Sequence, residues 1–188
     1  RLQTRMQTHL PYILERVLAA NLPAEIALLP IIESALDPYA FSPYGANGLW
    51  QFMSPTAKQY GLKINSGYDG RRDIIASTDA ALTYLTYLYK RFDSWPLALA
   101  AYNAGEGTVS QALMRSKDKD FFALRLPRET RNYVPRLLAI AAIANDPAKH
   151  QITLPAVQMR LDFFLIQLPG QFDIAKIIEI SNLTSATL

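Results

Sequence analysis

The chain of 188 residues contains no cysteine, and this absence removes several kinds of chemistry at once. Without cysteine there is no disulfide, no thiolate nucleophile and no cysteine-ligated metal site. Histidine is scarce as well, because His9 and His150 are the only two and lie far apart in the chain. This scarcity disfavours a histidine-based metal site and a Ser-His-Asp triad. We therefore expect no metal ion and no other cofactor.

Long apolar runs and clustered charges are also missing. No stretch of 18 apolar residues occurs, so the sequence predicts no membrane-spanning helix. The net charge is only +3 and the basic residues are scattered, apart from pairs such as Arg71-Arg72. That pattern is not typical of a nucleic-acid-binding surface, and we expect no nucleic-acid partner. The chain begins at Arg1 without an initiator methionine and stops at Leu188 in an unfinished element, so we expect a piece of a longer protein.

Half of the residues are hydrophobic, which is enough for a sizeable core, and their spacing up to about residue 145 is helical. After residue 150, Pro155, β-branched residues and the apolar run at 163–166 favour a strand, followed by a turn and a short helix over 172–180. We therefore predict a mainly α fold with a helical domain over residues 1–150 and a small α+β extension over residues 151–188. The helices of the first domain are predicted at 9–21, 24–34, 49–60, 74–92, 95–104, 106–114 and 129–145.

One acidic residue, Glu33, follows an apolar stretch that begins at Ile26, and no basic residue lies within several positions of it. Burial among apolar side chains disfavours an ionised carboxylate and raises its pKa. Moving the pKa of a glutamate from about 4.3 to about 6–7 costs roughly 3–4 kcal/mol. A fold rarely carries that cost without a use for a neutral carboxyl group. The alternative is a glutamate at the solvated end of an amphipathic helix. Pro30 should kink that predicted helix one turn before Glu33.

Three clusters of polar, aromatic and glycine residues fall on predicted loops or helix ends, where functional sites are usually built. They cover residues 42–53, residues 101–107 and residues 129–134, the last of which is the weakest of the three. Each cluster alone has a structural explanation, because glycines serve tight turns and helix ends, and tyrosines serve as core aromatics with satisfied hydroxyl groups.

Together, three motifs match a known pattern: Glu33-Ser34, Gly48-Leu49-Trp50-Gln51 and the Tyr102-Asn103-Ala104-Gly105 segment with its preceding alanines. Their order and spacing resemble the family 1 lytic transglycosylases of peptidoglycan, of the soluble-lytic-transglycosylase type, over about residues 10–147. The resemblance implies a lysozyme-like (goose-type) helical fold. It also implies a monomeric periplasmic protein that acts on peptidoglycan glycan strands and is anchored to the outer membrane by a segment outside this chain. Trp50 departs from the methionine that is common in the wider family, but it keeps a large apolar side chain there.

The resemblance also implies a role for individual residues. Glu33 matches the single catalytic acid and base, and Tyr102 matches the tyrosine whose hydroxyl approaches that carboxyl group. Ser42 matches a serine that meets the substrate N-acetyl group, and Glu129 matches a second acid that contacts sugar. The remaining matches are residues of the sugar-binding cleft, the last of them matching less closely: Gln51, Met53, Asn103 and Tyr133.

The implied reaction cleaves the bond between N-acetylmuramic acid and N-acetylglucosamine without water and leaves a 1,6-anhydro end. Ordinary glycosidases use two carboxylates, so a muramidase of the same fold is an alternative if Asp69, Asp73 or Glu106 activates water. Asp37 is better explained as a turn residue. A catalytically idle glycan-binding scaffold is a further alternative, and the intact Glu33 argues against it.

The segment from about residue 163 to residue 188 resembles the start of a lysin motif (LysM), a peptidoglycan-binding module. The run from Leu168 to Ala175 matches its turn and first helix. The alternative is a structural extension that packs on the helical domain through Phe163, Phe164 and Ile166.

Overall fold

The computed structural model describes residues 1–158, residue 170 and residues 173–181 of the chain. Within this part the architecture is helical, and the β pairing consists of isolated bridges at Phe41–Asn47, Asn47–Phe52 and Ile64–Asp69. Short 3₁₀ turns cover Ala24–Leu28, Phe121–Ala123 and Ala148–His150. The α-helices are α1 (Leu2–Ala19), α2 (Leu29–Ser34), α3 (Ser54–Gln59), α4 (Ile74–Phe92), α5 (Trp95–Ala104), α6 (Glu106–Arg115), α7 (Arg128–Asn145) and α8 (Ile174–Ser181).

Helix α5 lies at the centre of the core and contacts α4, α6 and α7. Its alanines at positions 98, 100 and 101 are fully buried, and such small side chains let neighbouring helices approach closely. Asp73 is the N-cap of helix α4, and its Oδ1 accepts hydrogen bonds of 2.9 Å from the backbone N–H groups of Ile75 and Ala76. This N-cap satisfies two donors that the first turn of a helix otherwise leaves unpaired. Helix α4 ends at Asp93 in the left-handed conformation (φ 47°), and α5 follows almost at once.

The segment predicted as one helix kinked at Pro30 is instead a 3₁₀ turn followed by α2. Pro30 lies in the first turn of α2, where its missing N–H group removes no helical hydrogen bond. Ala35 and Leu36 then adopt left-handed φ values of 52° and 57°, and the N–H of Leu36 donates to the carbonyl of Pro30 over 3.0 Å. This closure places Glu33 in the last turn of a short, well-terminated helix.

The helix predicted for residues 49–60 is wrong in its first half, since α3 begins only at Ser54. Residues 49–53 form a turn in which the backbones of Asn47 and Phe52 exchange hydrogen bonds of 3.1 and 3.2 Å. Gly48 (φ 82°) and Gln51 (φ 48°) have left-handed backbone angles that a helix does not allow. The predicted helices at 74–92 and 95–104 are confirmed, while α1 begins seven residues earlier than predicted, at Leu2.

The strand predicted after residue 150 is not found in residues 152–158, which carry no regular secondary structure. The side chain of Gln7 donates a 3.4 Å hydrogen bond to the carbonyl of Ala156, which ties this segment to α1. Phe163, Phe164, Ile166 and most of the LysM-like segment at 163–188 lie outside the described residues. The domain boundary near residue 150 therefore stays a prediction. In the part of the chain that the structure describes, no helix has the length and hydropathy of a membrane span.

Candidate active site

A cleft of about 660 Å³ opens between the end of α2, the turn-rich segment at 42–53, the end of α5 and the start of α7. Every residue that the sequence singled out as catalytic or substrate-binding lines this cleft, although their positions in the chain span a hundred residues. They are Glu33, Ser42, Gln51, Met53, Tyr102, Asn103, Glu129 and Tyr133. The fold thus brings Glu33 and residues from all three sequence clusters to one surface.

Glu33 is partly buried in this cleft, and burial raises the pKa of its carboxyl group to about 7. Desolvation is the largest cause, because a charged carboxylate loses favourable interactions with water when it is buried. The hydrogen bond from Tyr133 lowers this pKa, and the negative charge of Glu129 raises it. The result is a carboxyl group that is about half protonated at neutral pH and can either donate or accept a proton.

The tyrosine that contacts Glu33 is not the one expected from the sequence. The hydroxyl of Tyr133 donates a short hydrogen bond to Oε1 of Glu33, whereas the hydroxyl of Tyr102 donates to the backbone carbonyl of Trp50 over 2.8 Å. Tyr133 therefore makes the hydrogen bond to Glu33, while Tyr102 is close enough for the charge of Glu33 to raise its pKa. Burial raises the pKa of both tyrosine hydroxyls well above the usual value. Tyr133 consequently remains a hydrogen-bond donor to Glu33 throughout the neutral range.

Tyr102 instead helps to hold the cleft wall together. Its hydroxyl fixes the backbone of Trp50, whose fully buried indole donates a 3.0 Å hydrogen bond to Thr78 on α4. Its ring lies 5.5 Å from the ring of Tyr84, and Tyr84 in turn lies 4.7 Å from Tyr60. These contacts link α4, α5 and the turn at 49–53 into one aromatic wall.

A partly buried ion pair anchors the segment at residues 42–53, which carries Ser42, Gln51 and Met53. Arg71 is only 8% exposed, and its guanidinium contacts the carboxylate of Asp69 at 2.7 Å. The same guanidinium donates to the carbonyl oxygens of Gly45 and Phe52 at 2.9 and 3.2 Å. Because Gly45 and Phe52 lie near opposite ends of this segment, the Arg71 guanidinium joins the two ends and stabilises the conformation of the segment.

Gly48 is required by this arrangement. A Cβ atom at this position would lie 1.8 Å from the carbonyl oxygen of Arg71, and its φ of 82° disfavours any L side chain. The side-chain amide of Gln51 donates to the carbonyl oxygens of Gly48 and Ala40 at 2.8 and 3.2 Å. Gln51 thus lines the cleft, but its amide N–H groups donate to backbone carbonyls and stabilise the turn.

Ser42 and Asn103 each keep one polar group that the fold does not use. The Ser42 Oγ accepts the N–H of Ala46 over 3.0 Å, and no acceptor for its hydroxyl proton occurs among the described residues. The Oδ1 of Asn103 accepts a 2.8 Å hydrogen bond from the buried hydroxyl of Thr130, which orients the Asn103 side chain. The Ser42 hydroxyl proton and the Asn103 amide N–H groups are therefore left as donors on residues that line the cleft.

Sequence reasoning missed several residues of this site. Thr130, which orients Asn103, lies in the weakest cluster and carries no signal except its proximity to Glu129. In the sequence Ser34 stands out only as part of a motif, but its Oγ donates to the Leu49 carbonyl at 2.9 Å and so joins the helix of Glu33 to the turn. The other missed cleft residues include Thr56, Tyr84 and Arg136.

The acids considered as alternative bases have other partners and do not line the cleft. Asp37 forms an ion pair with Arg5, Asp69 with Arg71, and Glu106 lies 3.9 Å from Arg91. Asp73 caps α4. The second carboxylate of the cleft is Glu129, which is exposed. Among the described residues there is no group of three His, Cys, Asp or Glu side chains placed to hold a metal ion.

Comparison with known proteins assigns the chain to a family. The model of the transglycosylase SLT domain matches residues 16–124, more than half of the sequence. The chain belongs to the transglycosylase SLT domain family. The matched segment contains Glu33, the turn at 49–53 and Tyr102, whereas Glu129 and Tyr133 follow it.

Two curated relatives show how far the similarity extends. The chain is 39% identical to membrane-bound lytic murein transglycosylase D of Escherichia coli K12 over 189 aligned residues, which cover 98% of this chain and 42% of that protein. It is 36% identical to the soluble lytic murein transglycosylase of the same strain over 119 residues, or 58% of this chain and 18% of that protein. The chain therefore spans less than half the length of these relatives.

A solved structure supports the same assignment. The lytic transglycosylase Slt of Pseudomonas aeruginosa, solved as an inactive glutamate-to-glutamine mutant, superimposes with a TM-score of 0.57 and 27% sequence identity. The match covers 80% of this chain and 26% of the other. The predicted lysozyme-like, mainly α fold is thereby confirmed.

Proposed function

We propose that this chain is the catalytic domain of a lytic transglycosylase that cleaves the β-1,4 bond between N-acetylmuramic acid and N-acetylglucosamine in peptidoglycan. The observation that carries the proposal is Glu33, partly buried in the cleft with its pKa raised to about 7 and hydrogen-bonded to Tyr133. Family membership supports it, because the relatives are named lytic murein transglycosylases. The inactive mutant of the structural neighbour, a glutamate replaced by glutamine, agrees with an essential glutamate.

In the first step, the neutral carboxyl group of Glu33 gives its proton to the glycosidic oxygen, and the bond from that oxygen to the anomeric carbon of the muramoyl residue breaks. The oxygen of the 2-acetamido group attacks the anomeric carbon and holds it as a cyclic cation. The carboxylate left on Glu33 is stabilised by the hydrogen bond from Tyr133. The unused donors of Ser42 and Asn103 are suited to orient the acetamido group.

In the second step, the Glu33 carboxylate accepts the proton of the muramoyl 6-hydroxyl as its oxygen attacks the anomeric carbon. The bond to the acetamido oxygen breaks, the 1,6-anhydro ring forms, and Glu33 is protonated again. No water is consumed. Holding the hydroxyl beside the anomeric carbon is a proximity effect, worth about 7–11 kcal/mol in well-oriented systems. A pKa near 7 suits a group that serves as acid and then as base.

A muramidase is the second candidate, and one specific observation favours it. Glu129 lies in the same cleft, carries a negative charge that raises the pKa of Glu33, and is open to solvent. A carboxylate in that position could activate water, as the second carboxylate of an inverting glycosidase does. The family relationship makes us prefer the transglycosylase, in which Glu129 contacts sugar.

Clearing of purified peptidoglycan suspensions by Glu33→Gln tests the assignment of the catalytic acid. The amide keeps the size of the side chain but cannot give up a proton, so we expect a loss of about 10²–10⁴-fold. Glu25→Gln, the same change at an exposed acid eight positions earlier, is the matched control. Activity of Glu33→Gln within a few-fold of the wild type would remove Glu33 from this role.

Location, assembly and the C-terminal segment belong to the same proposal. One relative is named membrane-bound, which supports association with a membrane. We expect a periplasmic enzyme that is anchored to the outer membrane through a segment outside this chain. We expect a monomer that uses no metal ion, and that chelators will leave the activity unchanged. The LysM-like tail is expected to add affinity for glycan rather than catalysis.

A further inference from the structure

One basic side chain lines the cleft without a role in the steps above. Arg136 is an exposed residue of α7, and among the described residues it is the only arginine or lysine of the cleft lining. It follows Tyr133 by three positions and Glu129 by seven. Because residues three, four and seven apart share one face of a helix, the three side chains project from the same side of α7 into the cleft.

Arg136 is not committed to an internal partner. Arg5, Arg16, Arg71 and Arg91 each have a carboxylate within 4.0 Å, but within the described part of the chain none lies that close to Arg136. It is also absent from the groups that shift the pKa of Glu33, which are the apolar surroundings, Tyr133 and Glu129. Arg136 therefore neither pairs with an acid of the fold nor tunes the catalytic carboxyl group.

The chemistry of the proposed substrate supplies a partner for this guanidinium. The glycan backbone offers only neutral hydroxyl and acetamido groups, whereas its negative charge lies in carboxylates on the lactyl-peptide substituent of each muramoyl residue. A guanidinium presents a planar fork of N–H donors that matches a carboxylate in two parallel hydrogen bonds. Neutral sugar hydroxyls lack the charge and the paired oxygens that allow two parallel hydrogen bonds with a guanidinium.

We propose that Arg136 binds a carboxylate on the lactyl-peptide substituent of a muramoyl residue, so that the cleft prefers strands that carry peptides to a neutral glycan. The proposal rests on the proposed function, since it concerns the substrate of the same cleft. It makes Arg136 a determinant of substrate specificity that affects binding rather than the chemical steps.

The test measures binding in the Glu33→Gln background, where cleavage does not interfere. The probes are peptide-bearing glycan oligomers, the same oligomers stripped of peptide by an amidase, and N-acetylglucosamine oligomers of equal length. Adding Arg136→Gln should weaken binding of the peptide-bearing oligomers about tenfold, equivalent to about 1.4 kcal/mol, and leave the neutral oligomers unchanged. Arg136→Lys should recover part of the affinity through its charge. Arg131→Gln, an exposed arginine of α7 outside the cleft lining, is the control and should change neither.

The stripped oligomers separate two sources of the carboxylate, because amidase cleavage removes the stem peptide and uncovers the lactyl carboxylate. Loss of the Arg136 effect on these oligomers assigns it to a carboxylate of the stem peptide, and its persistence shows that the uncovered lactyl carboxylate can take the place of the peptide carboxylate. An equal loss on neutral oligomers, or no loss on peptide-bearing ones, would overturn the proposal. If the wild type releases products with reducing ends while the binding difference persists, the transglycosylase assignment fails and the role of Arg136 stands.

Discussion

The hydroxyl of Tyr133 donates a hydrogen bond to Oε1 of Glu33 across a separation of one hundred residues in the chain. This contact joins the last turn of α2 to the second turn of α7 and opposes the effects that keep Glu33 neutral. Burial and Glu129 raise the pKa of Glu33, and Tyr133 lowers it, with a balance at about 7. The pH dependence of the enzyme should follow this balance.

The protonated form of Glu33 starts the reaction, so kcat/KM should be highest below pH 7 and fall as the pH rises through about 7. Tyr133→Phe removes the hydrogen bond that favours the ionised form of Glu33. The alkaline limb of the pH profile, where kcat/KM falls, should therefore move to higher pH. Rates on soluble glycan oligomers between pH 5 and pH 9 measure this. Tyr84→Phe, another cleft tyrosine that does not affect the pKa of Glu33, is the control and should leave the limb in place. A limb that stays in place in Tyr133→Phe would contradict the assignment of this limb to Glu33.

Glu129→Gln should move the same limb in the opposite direction. The negative charge of Glu129 raises the pKa of Glu33, and its removal makes ionisation of Glu33 easier. The limb should therefore appear at lower pH than in the wild type, even if the rate also falls through a lost sugar contact. The shift should shrink as salt is added, because Glu129 is exposed to solvent. A shift to higher pH would show that the charge of Glu129 does not act on Glu33.

Glu33→Gln should change how stability depends on pH. In the wild type the pKa of Glu33 rises from 4.5 to about 7 on folding, so the folded state holds the proton more tightly. Stability is therefore full below about pH 4.5 and declines as the pH rises toward and through 7. The glutamine variant lacks this decline and should be more stable above pH 7 by up to about 3 kcal/mol, at 1.36 kcal/mol per pKa unit. Urea unfolding at pH 4 and pH 8 checks this, and an equal difference at both pH values would contradict it.

Gly48→Ala should destabilise the protein and disrupt the cleft, because the new Cβ would lie 1.8 Å from the Arg71 carbonyl oxygen at a φ of 82°. Left-handed strain alone costs about 1–3 kcal/mol, and displacement of the backbone of Arg71 adds to it. Gly107→Ala is the matched control, since that glycine lies in α6 with no atom within 4 Å of an added Cβ. The control should be neutral or stabilising by about 0.5–1 kcal/mol. Thermal melts of both variants measure the difference. Equal melting temperatures would show that the backbone at Gly48 or Arg71 can shift to accommodate the added Cβ without a loss of stability.

The residues that the sequence singled out do line one cleft, but the contacts among them could not be predicted from the sequence. Motif matching brought Glu33, Ser42, Tyr102 and Glu129 into one predicted cleft, because the identity and order of such residues are visible in the chain. Which tyrosine contacts Glu33 depends on how α5 and α7 pack, and no local pattern reports that packing. For this reason the sequence indicates Tyr133 only as a residue of the cleft, whereas the structure places its hydroxyl on Glu33.

Helix predictions succeeded where apolar periodicity and capping agreed, as in α4 with its Asp73 cap. They failed at residues 49–53. The apolar residues Leu49, Trp50 and Phe52 are buried, as the apolar face of a helix would be, but they are buried in a turn. That turn is maintained by long-range contacts to Arg71 and Tyr102. Arg136 was missed because a lone arginine on a helix face is unremarkable until the cleft around it is seen.

The most direct test of the central claim is mass spectrometry of products released from purified peptidoglycan in water enriched with ¹⁸O. We expect fragments whose muramoyl ends are 1,6-anhydro and carry no ¹⁸O, because the 6-hydroxyl is the nucleophile and Glu33 is both acid and base. Fragments with reducing ends that contain one ¹⁸O atom would contradict it, and would assign the chain as a muramidase in which Glu129 is the first residue to test as the base.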